Sequence, residues 1–560
     1  MLIGNTTRTN HTNRTVNYAT MHQTPLTVDF FITIKVKNVY HFTHRIILKK
    51  ENYLSLSSFV SLGIFAGLLL SNTGTTSFFV QKQAQAQPCS PVQVQAGTCG
   101  PENTITLRHQ STPFPEMNFS KPKDVWSKDG VLRTTLVADY QAGTIDGKPI
   151  TTMLYNGSLP GPTFHVYPGD RIELNLINNL NEPTNLHFHG FHVSPANNAD
   201  NIFLEVGPGK TQHYSFYLPK DHPLGTDWYH PHMHGLTYSQ VNNGLSGLLI
   251  VEGLQKLLPK PLQNIATHTF EMKDFPWDPL FTTTHNMSNT LTGHERLTVN
   301  GEVNPVVNIK SGETQLWRFI NMNSETYITV GLSGFKFHII AEDGYPVWKV
   351  WENDTLFLPF GKRFDVLVTG QGNGSIPLRV VNDSYADHPD GTVVATVHVQ
   401  DNQNVKPISL PTTLPPFANS SSISKWKDLS NATIAAHRVQ YWQSDDRDWI
   451  YTINNKTFDP NTIGEKVKLG TVEEWKLINV DPIPSGNFHP FHLHTNDVQV
   501  MSVNGKPYNA DGRQDIVMIP THGEVVIRVP AYDFVGKTVY HCHLLFHEDY
   551  GMMGTVEWVK

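Results

Sequence analysis

Four histidine clusters are the residues of this chain most able to do chemistry. LHFHG (His187, His189) and WYHPHMHG (His230, His232, with His234 beyond) lie in the first half. HPFHLH (His489, His492, His494) and HCHLLFHEDYGMM (His541, Cys542, His543, His547, Met552) lie near the C-terminus. On a β-strand, residues i and i+2 point to one face. Each His-x-His pair therefore aims two imidazoles at one place. In His541-Cys542-His543 the thiol points the other way, so one strand can serve two metal sites. Cys542, His547 and Met552 supply thiolate, imidazole and thioether. With His489 they make the two-histidine, one-cysteine set with a weak axial methionine that suits a blue-copper electron-transfer centre. Eight imidazoles remain, in pairs from four segments, enough for three more metal ions with open positions. A lone His-x-His is more often an ordinary hydrogen-bonded pair. Four clusters, one of them His-Cys-His with a downstream His and Met, are not explained that way. His192 and His234 stand beside the clusters and read as supporting or surface residues. Scattered histidines such as His109, His285 and His437 are assigned no role.

The elements that must position these residues are strands. Three segments share a Gly, an alternating strand and an Asn nine residues on: GDRIELNLIN (169–178), GETQLWRFIN (312–321) and GTVEEWKLIN (470–479). Upstream of the first two lies an Asn-Gly turn followed by Pro (Asn156-Gly157 with Pro160; Asn300-Gly301 with Pro305). This internal repeat predicts an all-β chain of three tandem Greek-key β-sandwich domains. They span about 103–253, 262–400 and 430–560. Residues 401–429, rich in Pro and Ser, read as a linker. The second domain carries no histidine cluster.

Composition agrees with this reading. The 560 residues include 29 Phe, 19 Tyr, 11 Trp, 40 Gly and 37 Pro, as expected of a turn-rich β protein, and 28 His. Seven of the basic side chains fall in residues 1–50 against one acid, so the formal charge of −7 conceals a more acidic body. That body excludes nucleic acid as a partner, because phosphate binding needs a basic face. Residues 1–86 read as a targeting region. Lys49 and Lys50 precede an apolar stretch, Leu54 to Leu70, and Ala84-Gln85-Ala86 offers a cleavage site, as in a secretory signal peptide. The stretch is short and polar for a stable membrane span. The expected product is exported, periplasmic or extracellular, and monomeric. Of the three cysteines, Cys89 and Cys99 are positioned for a short-loop disulfide, and Cys542 stands alone among histidines as a metal ligand.

The four motifs, in this order, resemble those of the multicopper oxidases with three cupredoxin domains, especially bacterial laccases and copper-efflux oxidases. The resemblance spans roughly residues 103–560. It implies four copper ions. His489, Cys542, His547 and Met552 would hold type 1 copper, and His187 and His492 type 2. His189, His230 and His543 would hold one type 3 copper, and His232, His494 and His541 the other. It further implies electron entry at His489, transfer through Cys542 to His541 and His543, and reduction of O2 to water between domains 1 and 3. Glu548 and Asp200 resemble acids that handle protons.

The partners expected are therefore a small reducing substrate and O2. No Met occurs from residue 323 to 500, so the 401–429 segment offers no thioether to pass Cu(I). Phenols and aromatic amines are favoured, with oxidation of cuprous or ferrous ions or of bilirubin as alternatives. A non-catalytic blue-copper protein predicts lost histidines in domain 1, and a copper-free relative predicts loss of Cys542. Both are disfavoured because these residues are intact.

Overall fold

The computed structural model describes residues 117–560 apart from 146–147, 276–295, 382–387, 403, 416–427, 484–485 and 509–510, together with four short strands between residues 32 and 82. Two compact units result, Met1–Gln110 and Ser111–Lys560. In the first, Ile32–Ile34 pairs with Phe42–His44 and Ile64–Leu70 with Thr76–Lys82, both antiparallel. The expected apolar signal segment falls partly on the Ile64–Leu70 strand. Its remainder, the Ala84–Ala86 cleavage site, Cys89 and Cys99 lie outside the described residues. Among the described residues, no helix is long and apolar enough to cross a membrane.

Among the described residues the second unit holds six sheets that make three successive cupredoxin-like sandwiches. Four- and five-stranded sheets form the first, two six-stranded sheets the second, and six- and five-stranded sheets the third. The three repeat strands, Arg171–Asn178, Thr314–Asn321 and Val472–Asn479, occupy equivalent places. Each has a parallel neighbour on one side and an antiparallel neighbour on the other. The Asn that ends each strand is buried and closes an Asx turn. The side-chain oxygens of Asn178, Asn321 and Asn479 accept from Leu180, Asn323 and Asp481 N–H at 2.9, 3.0 and 3.0 Å. Their amide groups donate to the carbonyls of Val206, Leu358 and Asn487. The third sandwich also has the turn that looked absent from its sequence. Asn454 and Asn455 take φ of +54° and +57°, matching Asn156-Gly157 and Asn300-Gly301. Asparagine tolerates this left-handed backbone, so the turn persists without its glycine.

Two further contacts lie beside the sandwiches. Met117–Asn118 pairs with the Pro305–Lys310 strand of the second sandwich, not with the first. The 401–429 segment is packed at both ends. Thr412 O accepts Val350 N–H at 2.9 Å and Leu414 is buried in the core, while Leu429 is buried and its N–H donates to Gln499 Oε1 at 2.6 Å. One apolar core runs through the first two sandwiches, and the third has its own.

Candidate metal centre

Two strand pairs present the histidines. His187–His189 lies antiparallel to Gly225–His230, with His187 opposite His230. His489–Leu493 lies antiparallel to Gly536–Cys542, with His492 opposite His541 and Phe491 opposite Cys542. Strand alternation then sets Phe491 and Cys542 on one face and His492 and His541 on the other.

On one side, Cys542 Sγ stands 3.6 Å from His489 Nδ1 and 3.8 Å from His547 Nδ1. Met552 is fully buried, and its carbonyl accepts Cys542 N–H at 3.0 Å. His489 Nε2 donates to the buried carboxylate of Asp481 at 3.1 Å. His547 Nε2 is 3.7 Å from Asp446, whose side chain is 62% exposed. Each ring thus keeps Nδ1 toward the sulfur. Burial pushes the Cys542 thiol well above its usual value. His547 holds the Asp446 carboxyl down at about 2.

On the other side, eight imidazoles from the first and third sandwiches interlock. His187 stacks on His494, and His189 on His492, each with ring centroids 3.8 Å apart. His232 Nε2 and His494 Nε2 both approach His541 Nε2 at 3.1 Å. His230 Nε2 faces His189 Nδ1 at 3.5 Å, and His543 lies 4.9 Å from His189 and 5.7 Å from His230 between centroids. The close triads include His187–His492–His494, His187–His189–His230 and His232–His494–His541.

These residues fit metal ions. Burial, reinforced by the neighbouring rings, pushes His187, His189, His492, His494 and His543 well below the usual histidine range, and brings His230 to about 3 and His232 to about 4. They are neutral imidazoles at pH 7, the form that can bind a metal ion. Nδ1 of His187, His230 and His492 donates to Asp200 Oδ1, Pro231 O and Asp515 O at 2.8, 2.8 and 2.9 Å, leaving Nε2 bare. His187 Nε2, His492 Nε2 and both nitrogens of His543 are buried with no hydrogen-bond partner. His541 donates from Nδ1 to Cys542 O at 3.1 Å, so its Nε2 is an acceptor faced by two more ring nitrogens. A cation satisfies such a set, and hydrogen bonds among the rings do not.

Both sequence-predicted acids reach the cluster. Glu548 is fully buried, 3.0 Å from His541 Nδ1 and 3.5 Å from His232 Nε2. Burial raises its pKa, but His232 and His541 outweigh this and hold it near 2. Asp200 Oδ1 accepts His187 Nδ1 and Phe188 N–H, while its buried Oδ2 has no hydrogen-bond partner. Burial pushes it up to about 8. His192 is buried and bonded to Thr495 O at 2.7 Å and Asp533 at 2.9 Å, a support between sandwiches. His234 is exposed beside Phe458.

His489, the expected electron-entry edge, is buried and its outer nitrogen is bound to a buried acid. His547 is buried as well, and its outer nitrogen faces the exposed Asp446. Sequence reasoning also missed Asp515, Asp481 and Arg363. No histidine spacing marks them, because packing and not local pattern brings them to the site.

Multicopper oxidase family models match residues 137–256, 220–403 and 432–559. A multicopper oxidase of Staphylococcus haemolyticus is 30% identical over 417 residues, covering 72% of this chain and 83% of its own length. A laccase structure from Pediococcus acidilactici is 25% identical, with a TM-score of 0.68, covering 80% of this chain and 95% of that one. A metallo-oxidase from Campylobacter jejuni shares the fold at 24% identity and a TM-score of 0.66, covering 80% and 96%. The matched stretches carry all four histidine clusters and span most of the chain, and on that ground the chain belongs to the multicopper oxidase family.

Proposed function

We propose that this oxidoreductase is an exported, monomeric, laccase-like enzyme that oxidises phenols or aromatic amines by one electron at a time and reduces O2 to water. The observation that carries the reading is that the Cys542 set and the eight-histidine cluster lie on opposite faces of one strand. His541-Cys542-His543 joins them by covalent bonds. With copper bound, the Cys542 set (His489, Cys542, His547, Met552) would supply one-electron acceptance, and the cluster would supply four-electron reduction of O2 at three ions. His187 and His492 are assigned to one ion. His189, His230 and His543 are assigned to a second, and His232, His494 and His541 to a third.

The chain's own residues account for the rest. Asp446, beside His547, accepts the Tyr451 hydroxyl at 2.8 Å and has an exposed face for a substrate proton. Trp449 and Tyr550 are 55% and 42% exposed, with centroids 5.5 Å apart, and offer an aromatic surface nearby. Tyr451 connects that surface to His547 at 4.8 Å. This arrangement supports entry at His547 in place of His489. Asp200, raised to about 8, is positioned to hold a proton at the cluster, and the ionised Glu548 to accept and pass one on, which four-electron reduction requires.

A second reading, oxidation of a small metal ion, is favoured by the same exposed carboxylate of Asp446. Copper content and O2 uptake on copper-loaded protein test both. Uptake is expected with a phenol and a substituted phenylenediamine, and weaker uptake with Fe(II) and Cu(I). Faster uptake with Fe(II) or Cu(I) than with either aromatic substrate would reverse the order of the two readings.

A further inference from the structure

No clustered imidazole comes from the second sandwich, yet that sandwich supplies the side chain on which the cluster's supports converge. Arg363 is fully buried, and all five of its guanidinium N–H groups have acceptors. Nε donates to Thr226 O at 2.9 Å. Nη1 donates to Gly361 O at 3.1 Å and Asp515 Oδ1 at 2.6 Å. Nη2 donates to Asp515 Oδ2 at 2.8 Å and Asp227 Oδ1 at 2.7 Å. These acceptors come from all three sandwiches. Asp343 adds a further tie, because its Oδ1 accepts Arg363 N–H and its Oδ2 accepts Asp515 and Ile516 N–H.

Asp515 carries the connection into the cluster. Its Oδ1 accepts His189 Nε2 at 3.3 Å, and its carbonyl accepts His492 Nδ1 at 2.9 Å. These are the two rings that stack across the junction of the first and third sandwiches. The contacts decide which nitrogen each ring leaves free: Nδ1 of His189, facing His230, and Nε2 of His492. The backbone is cleared for this arrangement. A Cβ on Gly190, which follows His189 with φ of +91°, would lie 2.4 Å from Arg363 Nη2 and 2.2 Å from Asp227 Oδ1.

We infer that Arg363 is a positioning residue for the histidine cluster, acting through Asp515 to set the orientation and free nitrogen of His189 and His492. The inference rests on the copper reading given above. A plain interdomain staple is available for contrast. Arg318, also buried and also from the second sandwich, bonds Asp365 Oδ1 at 2.7 Å and Thr226 Oγ1 at 3.0 Å. No hydrogen bond of Arg318 reaches Asp515 or a cluster histidine.

The test compares wild type, Arg363→Lys, Arg363→Met, Asp515→Asn and Arg318→Met after loading with copper. Copper per chain, the blue absorption, the electron paramagnetic resonance of type 2 copper and the melting temperature are measured. Lysine keeps the charge but not the planar fork. Arg363→Lys is therefore expected to weaken copper retention in the cluster by about 10–100-fold and to shift the type 2 signal, with the blue band unchanged. Asp515→Asn should shift the same signal, which keeps the test alive where Arg363→Met does not fold. Arg318→Met should lower the melting temperature and leave the type 2 signal as in wild type. The inference is overturned if Arg363→Lys and Asp515→Asn retain wild-type cluster copper and spectra, or if Arg318→Met disturbs the cluster equally. A wild-type chain that takes up type 1 copper but no cluster copper overturns the underlying copper reading, and the inference with it.

Discussion

Asp549 Oδ2 accepts the backbone N–H of Tyr238 at 2.7 Å, across 311 positions of the chain. Its other oxygen accepts Gly235 N–H at 2.7 Å and Thr237 N–H at 3.3 Å. The Thr237–Asn242 helix has no side-chain cap of its own, so the third sandwich caps a helix of the first. The same contact holds Leu545–Asp549, which carries His547 and Glu548, against the segment that follows His232. Asp549→Ala removes the acceptor for three N–H groups. It is expected to cost about 2 kcal/mol of stability, with Asp549→Asn recovering part of that. Chemical denaturation of the three proteins decides it, and an unchanged midpoint for the alanine variant would count against the cap.

Cys542→Ser is expected to abolish the blue colour and all oxidase activity while most cluster copper stays bound. A hydroxyl cannot replace the thiolate that gives the charge-transfer colour, and none of the eight imidazoles is altered. Absorption and copper analysis of the variant check this. A blue, active serine variant would remove Cys542 from the electron-entry site.

His494→Ala should have the opposite signature. His494 Nε2 meets His541 Nε2 at 3.1 Å, and its ring stacks on His187 from the first sandwich. The variant should lose O2 reduction and part of the cluster copper, and should lower the stability that copper adds by mass action. The blue band should persist, because the Cys542 set is untouched. Melting curves with and without copper, together with O2 uptake, are the readout. Full O2 reduction in this variant would falsify the proposed division of ligands.

Glu271 gives a pH prediction that involves no cluster histidine. It is fully buried in the second sandwich, neither carboxylate oxygen has a hydrogen-bond partner, and burial, with a smaller push from Asp124, raises it to about 8. Between its ordinary value of 4.5 and about 8 the native state keeps a proton that the unfolded chain releases. The resulting stability is fully present below pH 4.5 and is lost as pH rises through about 8, with a slope of up to about 1.4 kcal/mol per pH unit. Glu271→Gln removes this term. Its melting temperature relative to wild type should climb from about pH 5 to about pH 8 and level off above that. A difference that is flat with pH would mean Glu271 ionises freely in the folded protein.

The amino-acid pattern alone picked out the side chains that the fold gathers into two groups able to hold metal. That legibility is local: a strand's two-residue period places His541 and His543 on one face and Cys542 on the other, and the repeated Asn at 178, 321 and 479 closes the same turn three times. The third copy of the repeat turn was hidden because Asn454-Asn455 reaches the left-handed backbone without glycine. Tertiary structure decided the rest. Packing sets which carboxylate meets each outer ring nitrogen, buried Asp481 for His489 and exposed Asp446 for His547, and nothing near these histidines in sequence states this. Arg363 and Asp515 meet across 152 positions, and only the packing of three sandwiches brings that ion pair to His189 and His492. Which side chains are candidates follows from local spacing in four short segments, whereas the orientation of their rings follows from long-range contacts that leave no periodic trace.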